Sequence, residues 1–182
     1  MSQDTQDEGP VKAVMNRASD AVGAAVGLAG AHTAGGRNTD MFVANAAISD
    51  RYEVEAARLA MGRTRSDTLR GFARQMIEAH TASSHQLASA LRMKETGEVE
   101  PPPEGLDERR EGLLRHLREA GDEDFDARYL DQQIAAHQEA AALLKTYGAS
   151  DGVPQLRSWA VAGLPAVERH LEMARNLKSA QR

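Results

Sequence analysis

The chain has 182 residues, of which 41% are hydrophobic and 27% are charged, and these proportions are typical of a globular domain. The formal net charge of -5 argues against a nucleic-acid binder, and the absence of cysteine excludes disulfides, thiolate metal sites and cysteine nucleophiles. Alanine is abundant, whereas aromatic residues make up only 4% of the chain. Because alanine favours helices and strands usually need aromatic and β-branched residues, we expect an all-α protein.

Residues 1–37 differ from the rest, and we expect a flexible or weakly helical tail there. The apolar stretch Ala21–Ala31 is shorter than the ~20 residues that a transmembrane helix needs. Its end, Ala29-Gly30-Ala31, resembles a signal-peptidase site, but acidic residues precede it and it contains a single leucine. The sequence therefore favours a cytoplasmic protein without a firm membrane span, with a periplasmic or envelope-associated location and a homo-oligomer left open.

From Asn38 to the C-terminus, at residues 38–182, the pattern predicts four long helices and one short helix. The long helices are expected at about 39–61, 66–95, 124–147 and 152–182, and the short one at about 106–120. Three consecutive prolines at 101–103 exclude helix between the second long helix and the short one.

The lengths of the connections predict the topology. Short links at 62–65 and 148–152 make helices one and two antiparallel, and likewise helices three and four. The connection between helices two and three is long enough to carry the chain back along the bundle. This arrangement predicts a ferritin-like four-helix bundle whose long crossover carries a short extra helix.

Each long helix places one ionisable residue on its apolar face. Tracing steps of three and four residues puts Glu53, His80, His137 and His170 on the inward faces of successive helices. With a rise of ~1.5 Å per residue, Glu53 and His80 lie roughly 18 to 22 Å from the first turn, and the other two histidines lie at similar depths if the crossover is correct. The four side chains are therefore expected to converge near the middle of the bundle.

One carboxylate and three imidazoles suit a transition-metal ion such as zinc, iron, copper or nickel. We therefore predict a metal site formed by Glu53, His80, His137 and His170, in a protein of metal handling or stress protection. Tyr52 and Tyr129 lie near enough in sequence to donate hydrogen bonds to the ligands. No catalytic residue and no organic cofactor are predicted, because the sequence contains no nucleophile or phosphate-binding motif.

Two alternatives stay open. The protein could be a structural or interaction protein whose buried histidines bond to neighbouring residues without any metal, or an oxidoreductase with a degenerate metal site. A single histidine on an apolar helix face is more often a core residue than a ligand, whereas three at matching depths favour a site. The other three histidines, His32, His85 and His116, are expected to be exposed or peripheral.

Four segments also carry a resemblance to a known family. They are FVANAAISDRYEVEAARLA (42–60), FARQMIEAHTASSHQL (72–87), FDARYLDQQIAAHQEAAALL (125–144) and LRSWAVAGLPAVERHLEMA (156–174). Together with the patterns H-x-E-A at His137 and L-P-x-x-x-x-H-L at His170, they resemble a bacterial ferritin-like family of unknown function, whose members are often labelled membrane or outer-membrane proteins.

The resemblance implies a ferritin-like fold and no settled activity. It also matches Glu53, His80, His137 and His170 to the family's characteristic positions. The chain departs from di-iron ferritins, which carry Glu-x-x-His pairs, because Ile77 and Val167 stand three residues before His80 and His170. A di-iron centre is therefore not expected, and neither ferroxidase activity nor iron storage is carried over.

Overall fold

A computed structural model describes residues 9–33 and 37–181. Over these ranges the protein is all-α, with six helices and no strand. The helices are α1 (Pro10–His32), α2 (Thr39–Arg63), α3 (Asp67–Ala90), α4 (Glu108–Glu119), α5 (Asp122–Gly148) and α6 (Pro154–Ala180). The prediction of an all-α protein is confirmed, and a single 3-10 turn at Lys94–Thr96 interrupts the connection between α3 and α4.

Three helices begin at residues whose side chains cap them. The side-chain oxygens of Asn38, Ser66 and Asp107 each accept a hydrogen bond from the backbone N–H three residues later, at 2.9, 3.2 and 2.7 Å. These residues start α2, α3 and α4. Each cap satisfies one of the N–H groups that the first turn of a helix leaves unbonded, and so fixes where the helix begins.

Four helices pack as a ring in which α2 and α6 each contact both α3 and α5. Thr39 near the start of α2 bonds to Tyr147 near the end of α5, and Arg63 at the end of α2 bonds to Asp122 at the start of α5. Helices α2 and α5 are therefore antiparallel. Because α3 is also joined to α2 by a short turn, α3 and α5 run in the same direction, and the connection containing α4 returns the chain along the bundle.

Helix α1 lies in the region for which the sequence predicted a flexible or weakly helical tail. It is continuous for 23 residues and packs against α4 and α5. Arg17 pairs with Asp124 at 2.5 Å, and Asp20 Oδ1 lies 2.6 Å from the Nδ1 atom of His116, which is buried rather than peripheral. In the described part of the chain, no helix has the length and apolar character to cross a membrane.

The core of the bundle consists of two apolar clusters. Phe72, Phe125 and Tyr129 belong to the cluster nearer the α2–α3 turn, and Phe42 and Tyr147 belong to the cluster at the other end. The positions where the histidines project inward lie between these clusters. A layer of polar side chains therefore crosses the middle of the bundle with apolar packing on both sides.

Candidate metal centre

Three histidines from three different helices meet in the polar layer. His80 lies on α3, His137 on α5 and His170 on α6, and their exposed fractions are 5%, 0% and 6%. Their ring centroids are separated by 5.5 to 5.9 Å. One nitrogen can be chosen from each ring so that all three atoms lie within 4.8 Å of one another. This buried group could hold a metal ion.

Hydrogen bonds fix which nitrogen each ring offers. His137 Nδ1 lies 2.8 Å from the backbone oxygen of Gln133, and His80 Nδ1 lies 2.8 Å from Asp50 Oδ1. A carbonyl or carboxylate oxygen can only accept, so both Nδ1 atoms carry the proton. Each neutral ring then presents the lone pair of Nε2.

Three ring nitrogens are buried and have no hydrogen-bond partner in the described chain. They are Nε2 of His80, Nε2 of His137 and Nδ1 of His170. A buried polar atom without a partner loses the free energy of hydration and gains nothing in return. A cation bound by the three lone pairs would remove that cost for all three at once.

The size of the group fits a first-row metal after a small adjustment. Bonds of about 2.1 Å to three nitrogens of a tetrahedral centre require nitrogen separations of about 3.4 Å. The nitrogens would therefore approach one another by at most about 1.4 Å from their 4.8 Å limit, which side-chain rotation can supply. Neutral imidazoles without thiolates suit zinc, iron, copper and nickel.

Burial keeps two of the rings neutral. Burial, together with the charge of neighbouring histidines, lowers the pKa of His137 to about 3 and that of His170 to about 4. At His80 burial also disfavours the charged ring, but the hydrogen bond to Asp50 and the charge of Glu53 outweigh it and raise the pKa. Because a metal ion needs the neutral form of each ring, protonation of His80 would compete with metal binding.

Glu53, predicted from the sequence as a ligand, lies beside this group. Its Oε2 accepts a hydrogen bond from Gln133 Nε2 at 2.6 Å, and its Oε1 lies 3.6 Å from Nδ1 of His137. That nitrogen is the one that already donates to the Gln133 backbone. Burial raises the Glu53 pKa to about 7, although the charge of His80 and the bond from Gln133 oppose the shift.

The two tyrosines predicted beside the ligands differ in their contacts. The Tyr52 hydroxyl donates to Gln132 Oε1 at 3.0 Å, on the side of α5 that contacts α1 and α4. The Tyr129 hydroxyl is buried without a hydrogen-bond partner in the described residues, and burial and the charge of Glu53 raise its pKa. Of the two, Tyr129 is the one with a free hydroxyl near the carboxylate.

The sequence did not point to Asp50 or to the bond that Gln133 makes with Glu53. Asp50 stands three residues before Glu53, and that spacing places two residues on one helix face. Gln133 stands four residues before His137, so its backbone oxygen lies within reach of the ring. The spacing of Asp50 and Glu53 on α2 was the sequence feature that could have pointed to Asp50 as part of the site.

A family model described as a domain of unknown function (DUF4142) matches residues 25–177. This range includes the three histidines, Asp50 and Glu53, together with the end of α1. No curated protein and no solved structure matches the chain.

Proposed function

Since this chain belongs to the DUF4142 family, whose function is unknown, we propose that it binds one transition-metal ion through His80, His137 and His170 and serves in metal handling or stress protection. The observation that carries this proposal is a group of three buried histidines from α3, α5 and α6. Each has one unpaired ring nitrogen, and one nitrogen can be chosen from each ring so that the three lie within 4.8 Å of one another. Histidines that only satisfied one another or their neighbours would not leave all three of these atoms unbonded.

The directions of the helices support a ferritin-like bundle as the scaffold. Helices α3 and α5 run the same way and are joined by a long connection, which is the single-crossover arrangement of that fold. Ile77 and Val167 occupy the positions where a di-iron ferritin carries glutamates. The proposal is therefore a site for one metal ion, and zinc, iron, copper and nickel are all candidates.

Glu53 is the proposed carboxylate of the same site. A bound cation would favour its ionised form and offset the effect of burial, which raises its pKa. Its Oε1 has no hydrogen-bond partner in the described chain, so the carboxylate is free to turn toward the ion. We assign Tyr129, whose buried hydroxyl has no partner among the described residues, as its hydrogen-bond donor, because the Tyr52 hydroxyl already bonds to Gln132.

Elemental analysis of protein purified without a polyhistidine tag tests the proposal. We expect roughly one metal ion per chain and a rise in melting temperature on adding zinc, copper, iron or nickel salts. Removing a group that only orients a ligand typically lowers metal affinity about 10- to 100-fold. The variant His137→Gln removes a ligand itself, so its loss of metal affinity should be larger.

The matched control is His85→Gln, which changes an exposed histidine on the same helix as His80. It should keep both the metal content and the thermal shift. Less than a few tenths of an equivalent of metal in the wild-type protein, with no thermal shift, contradicts the proposal. A His137→Gln variant that changes stability but never metal content contradicts it too.

One observation favours the alternative of a structural or interaction protein. The outer face of α1 exposes five large apolar residues, at 65% to 73% of their surface. They are Val11, Val14, Met15, Val22 and Val26. Analytical ultracentrifugation of the full chain, compared with a variant in which Val14 and Val22 are changed to serine, distinguishes a homo-oligomer held by this face from a monomer.

A further inference from the structure

Helix α1 contacts the bundle with its small and polar side. The residues on that side are Ala13, Asn16, Asp20, Gly23, Gly27 and Ala31. The five large exposed residues of α1 lie on the opposite side, which is the outer face described above. An amphipathic helix ordinarily docks with its apolar side inward. The reversed orientation of α1 therefore leaves an apolar face directed away from the bundle.

The outer face is one continuous apolar stripe. With about 3.6 residues per turn, its five large side chains fall within an arc of about 120°, and the exposed Ala18, Ala25 and Ala29 lie between them. Among the described residues 11–29, no charged side chain falls within this arc. The stripe is about 27 Å long and about 10 Å wide, so it covers roughly 300 Å². Exposed apolar patches of this size are often interaction sites.

The spacing of the stripe favours another helix as its partner. Residues 11, 15, 18, 22, 25 and 29 follow alternating steps of four and three, the repeat by which two helices pack along a seam. A lipid surface fits less well, because helices that bind one carry Trp, Phe or Leu on the apolar side and basic residues beside it. The outer face has only Val, Met and Ala, and Lys12 and Arg17 are already paired with acidic residues of α4 and α5.

The seam is complementary to itself when two α1 helices pair in opposite directions about the level of residue 20. Its layers are then Val11 with Ala29, Met15 with Ala25, and Val22 with Ala18, each occurring twice. Every layer combines one larger side chain with one alanine, so the volume is even along the seam. A parallel pair would set two methionines against each other at position 15 and two alanines at position 18. Such layers would be crowded and underfilled by turns.

The rest of the molecule permits this pairing. Antiparallel helices place the N-terminal end of one beside the C-terminal end of the other, so their dipoles attract. The bundle contacts α1 from the side opposite the outer face, and the two bundles therefore lie on opposite sides of the helix pair. The seam is only one helix wide and buries less than the about 1,200 Å² typical of stable complexes. We therefore expect monomer and dimer to exchange.

We propose that two copies of this chain associate by antiparallel pairing of their α1 helices along the outer face. The proposal rests on the interaction-protein alternative given above, for which it names the partner and the geometry, and it is independent of the metal site. Most of α1 precedes residues 25–177, which the family model matches. The association is therefore assigned from this chain's own residues.

Single-cysteine variants of the full chain test the geometry, because the natural sequence contains no cysteine. Val11→Cys and Ala29→Cys are oxidised separately and as an equal mixture, and the linked dimers are measured on a non-reducing gel. Antiparallel pairing predicts linked dimers in the mixture and few in either variant alone. Parallel pairing predicts them in each variant alone. Val161→Cys, at an exposed position of α6, is the control and should give no linked dimer with Ala29→Cys.

The variant Val22→Asp tests whether the outer face holds the dimer. Position 22 occurs in two layers of the seam, so the change buries two carboxylates without partners. The association measured by sedimentation velocity should weaken at least about tenfold. Val161→Asp makes the same change at a position of α6 that is 59% exposed and should leave the association unchanged. Both variants should keep native helix content by circular dichroism, because both side chains are exposed in the single chain.

The outcomes separate this inference from the alternative on which it rests. A wild-type chain that stays monomeric overturns both, and binding of that monomer to phosphatidylglycerol vesicles would show that the outer face meets lipid instead. A dimer that Val22→Asp does not weaken overturns only the pairing through α1. Linked dimers in Val11→Cys alone overturn only its antiparallel direction. Elemental analysis tests the metal site separately from all of these results.

Discussion

Asp50 and His80 form a buried pair in which Oδ1 and Nδ1 are 2.8 Å apart and both side chains are less than one-tenth exposed. The carboxylate holds the ring with Nε2 directed at the other histidines and makes that nitrogen a stronger base. We expect Asp50→Asn to lower metal affinity about 10- to 100-fold, measured by competition with a chelator of known affinity.

The control for this change is Asp131→Asn, which removes an exposed carboxylate that pairs with Lys178 on the outside of α5. It should leave metal affinity unchanged. An Asp50→Asn variant that binds metal as tightly as the wild type would mean that Asp50 does not position the ring. Both variants should be checked for native helix content by circular dichroism.

The convergence of the histidines could be predicted because it depends on helix periodicity and on the direction of each helix, which the lengths of the connections indicate. His80, His137 and His170 each fall on an apolar stripe, and the constant rise of a helix converts sequence distance into depth. Hydrogen bonds within the site could not be predicted in the same way. They depend on side-chain rotation, which brings Gln133 to Glu53 and leaves the ring nitrogens unpaired.

Hydrophobic patterning could not predict that α1 packs against α4 and α5. Its docking depends on polar contacts with α4 and α5, such as Asp20 with His116 and with Gln132. Gly27 also permits a close approach, since a Cβ there would overlap the carboxylate of Glu139. Such contacts between residues 96 to 112 positions apart have no local signature in the sequence.

Glu139 neutralises two arginines where α1, α4 and α5 meet. Its Oε1 accepts hydrogen bonds from Arg109 at 2.7 Å and from Arg110 at 2.9 Å, and the Arg110 side chain is only 5% exposed. Replacing the carboxylate by an amide removes the negative charge that Arg109 and Arg110 share and leaves the buried Arg110 with Asp107 as its acidic partner. We expect Glu139→Gln to lower the free energy of unfolding by about 2–4 kcal/mol, measured by urea denaturation.

The comparison for Glu139 is Glu172→Gln, at an exposed position of α6. A surface substitution of this kind should change stability by less than about 0.5 kcal/mol. Equal effects of the two substitutions would show that the pairing of Glu139 with the arginines contributes nothing to stability.

Gly152 is required by the space around Tyr147. A Cβ at 152 would lie 2.6 Å from the tyrosine oxygen and 2.7 Å from Cζ. The ring cannot retreat, because it is stacked on Phe42 at 3.8 Å and its oxygen accepts a hydrogen bond from the Val153 N–H. We expect Gly152→Ala to destabilise the protein by about 1–3 kcal/mol, measured as a fall in the denaturation midpoint.

Gly105→Ala is the matched control for Gly152. Both glycines lie outside the helices and neither has a positive φ, but a Cβ at 105 would meet nothing within 4 Å. Because alanine restricts the unfolded chain, this variant should be neutral or more stable by about 0.4–1 kcal/mol. If both substitutions have the same effect, crowding against Tyr147 is not what selects glycine at 152.

Asp107 makes the stability of α4 depend on pH. Partial burial disfavours its charge, but the Arg110 N–H and guanidinium outweigh this and hold the Asp107 pKa below its ordinary value. Its stabilising effect is therefore present above the unfolded pKa, near 3.8, and is lost as the pH falls through the lower folded value. Asp107→Asn should lower stability by about 0.5–1 kcal/mol at about pH 6, and this difference should shrink as the pH falls below the unfolded pKa of 3.8. Urea denaturation at a series of pH values measures this difference in stability. The control is Asp151→Asn, at an exposed position. A difference that does not change with pH contradicts the role assigned to Asp107.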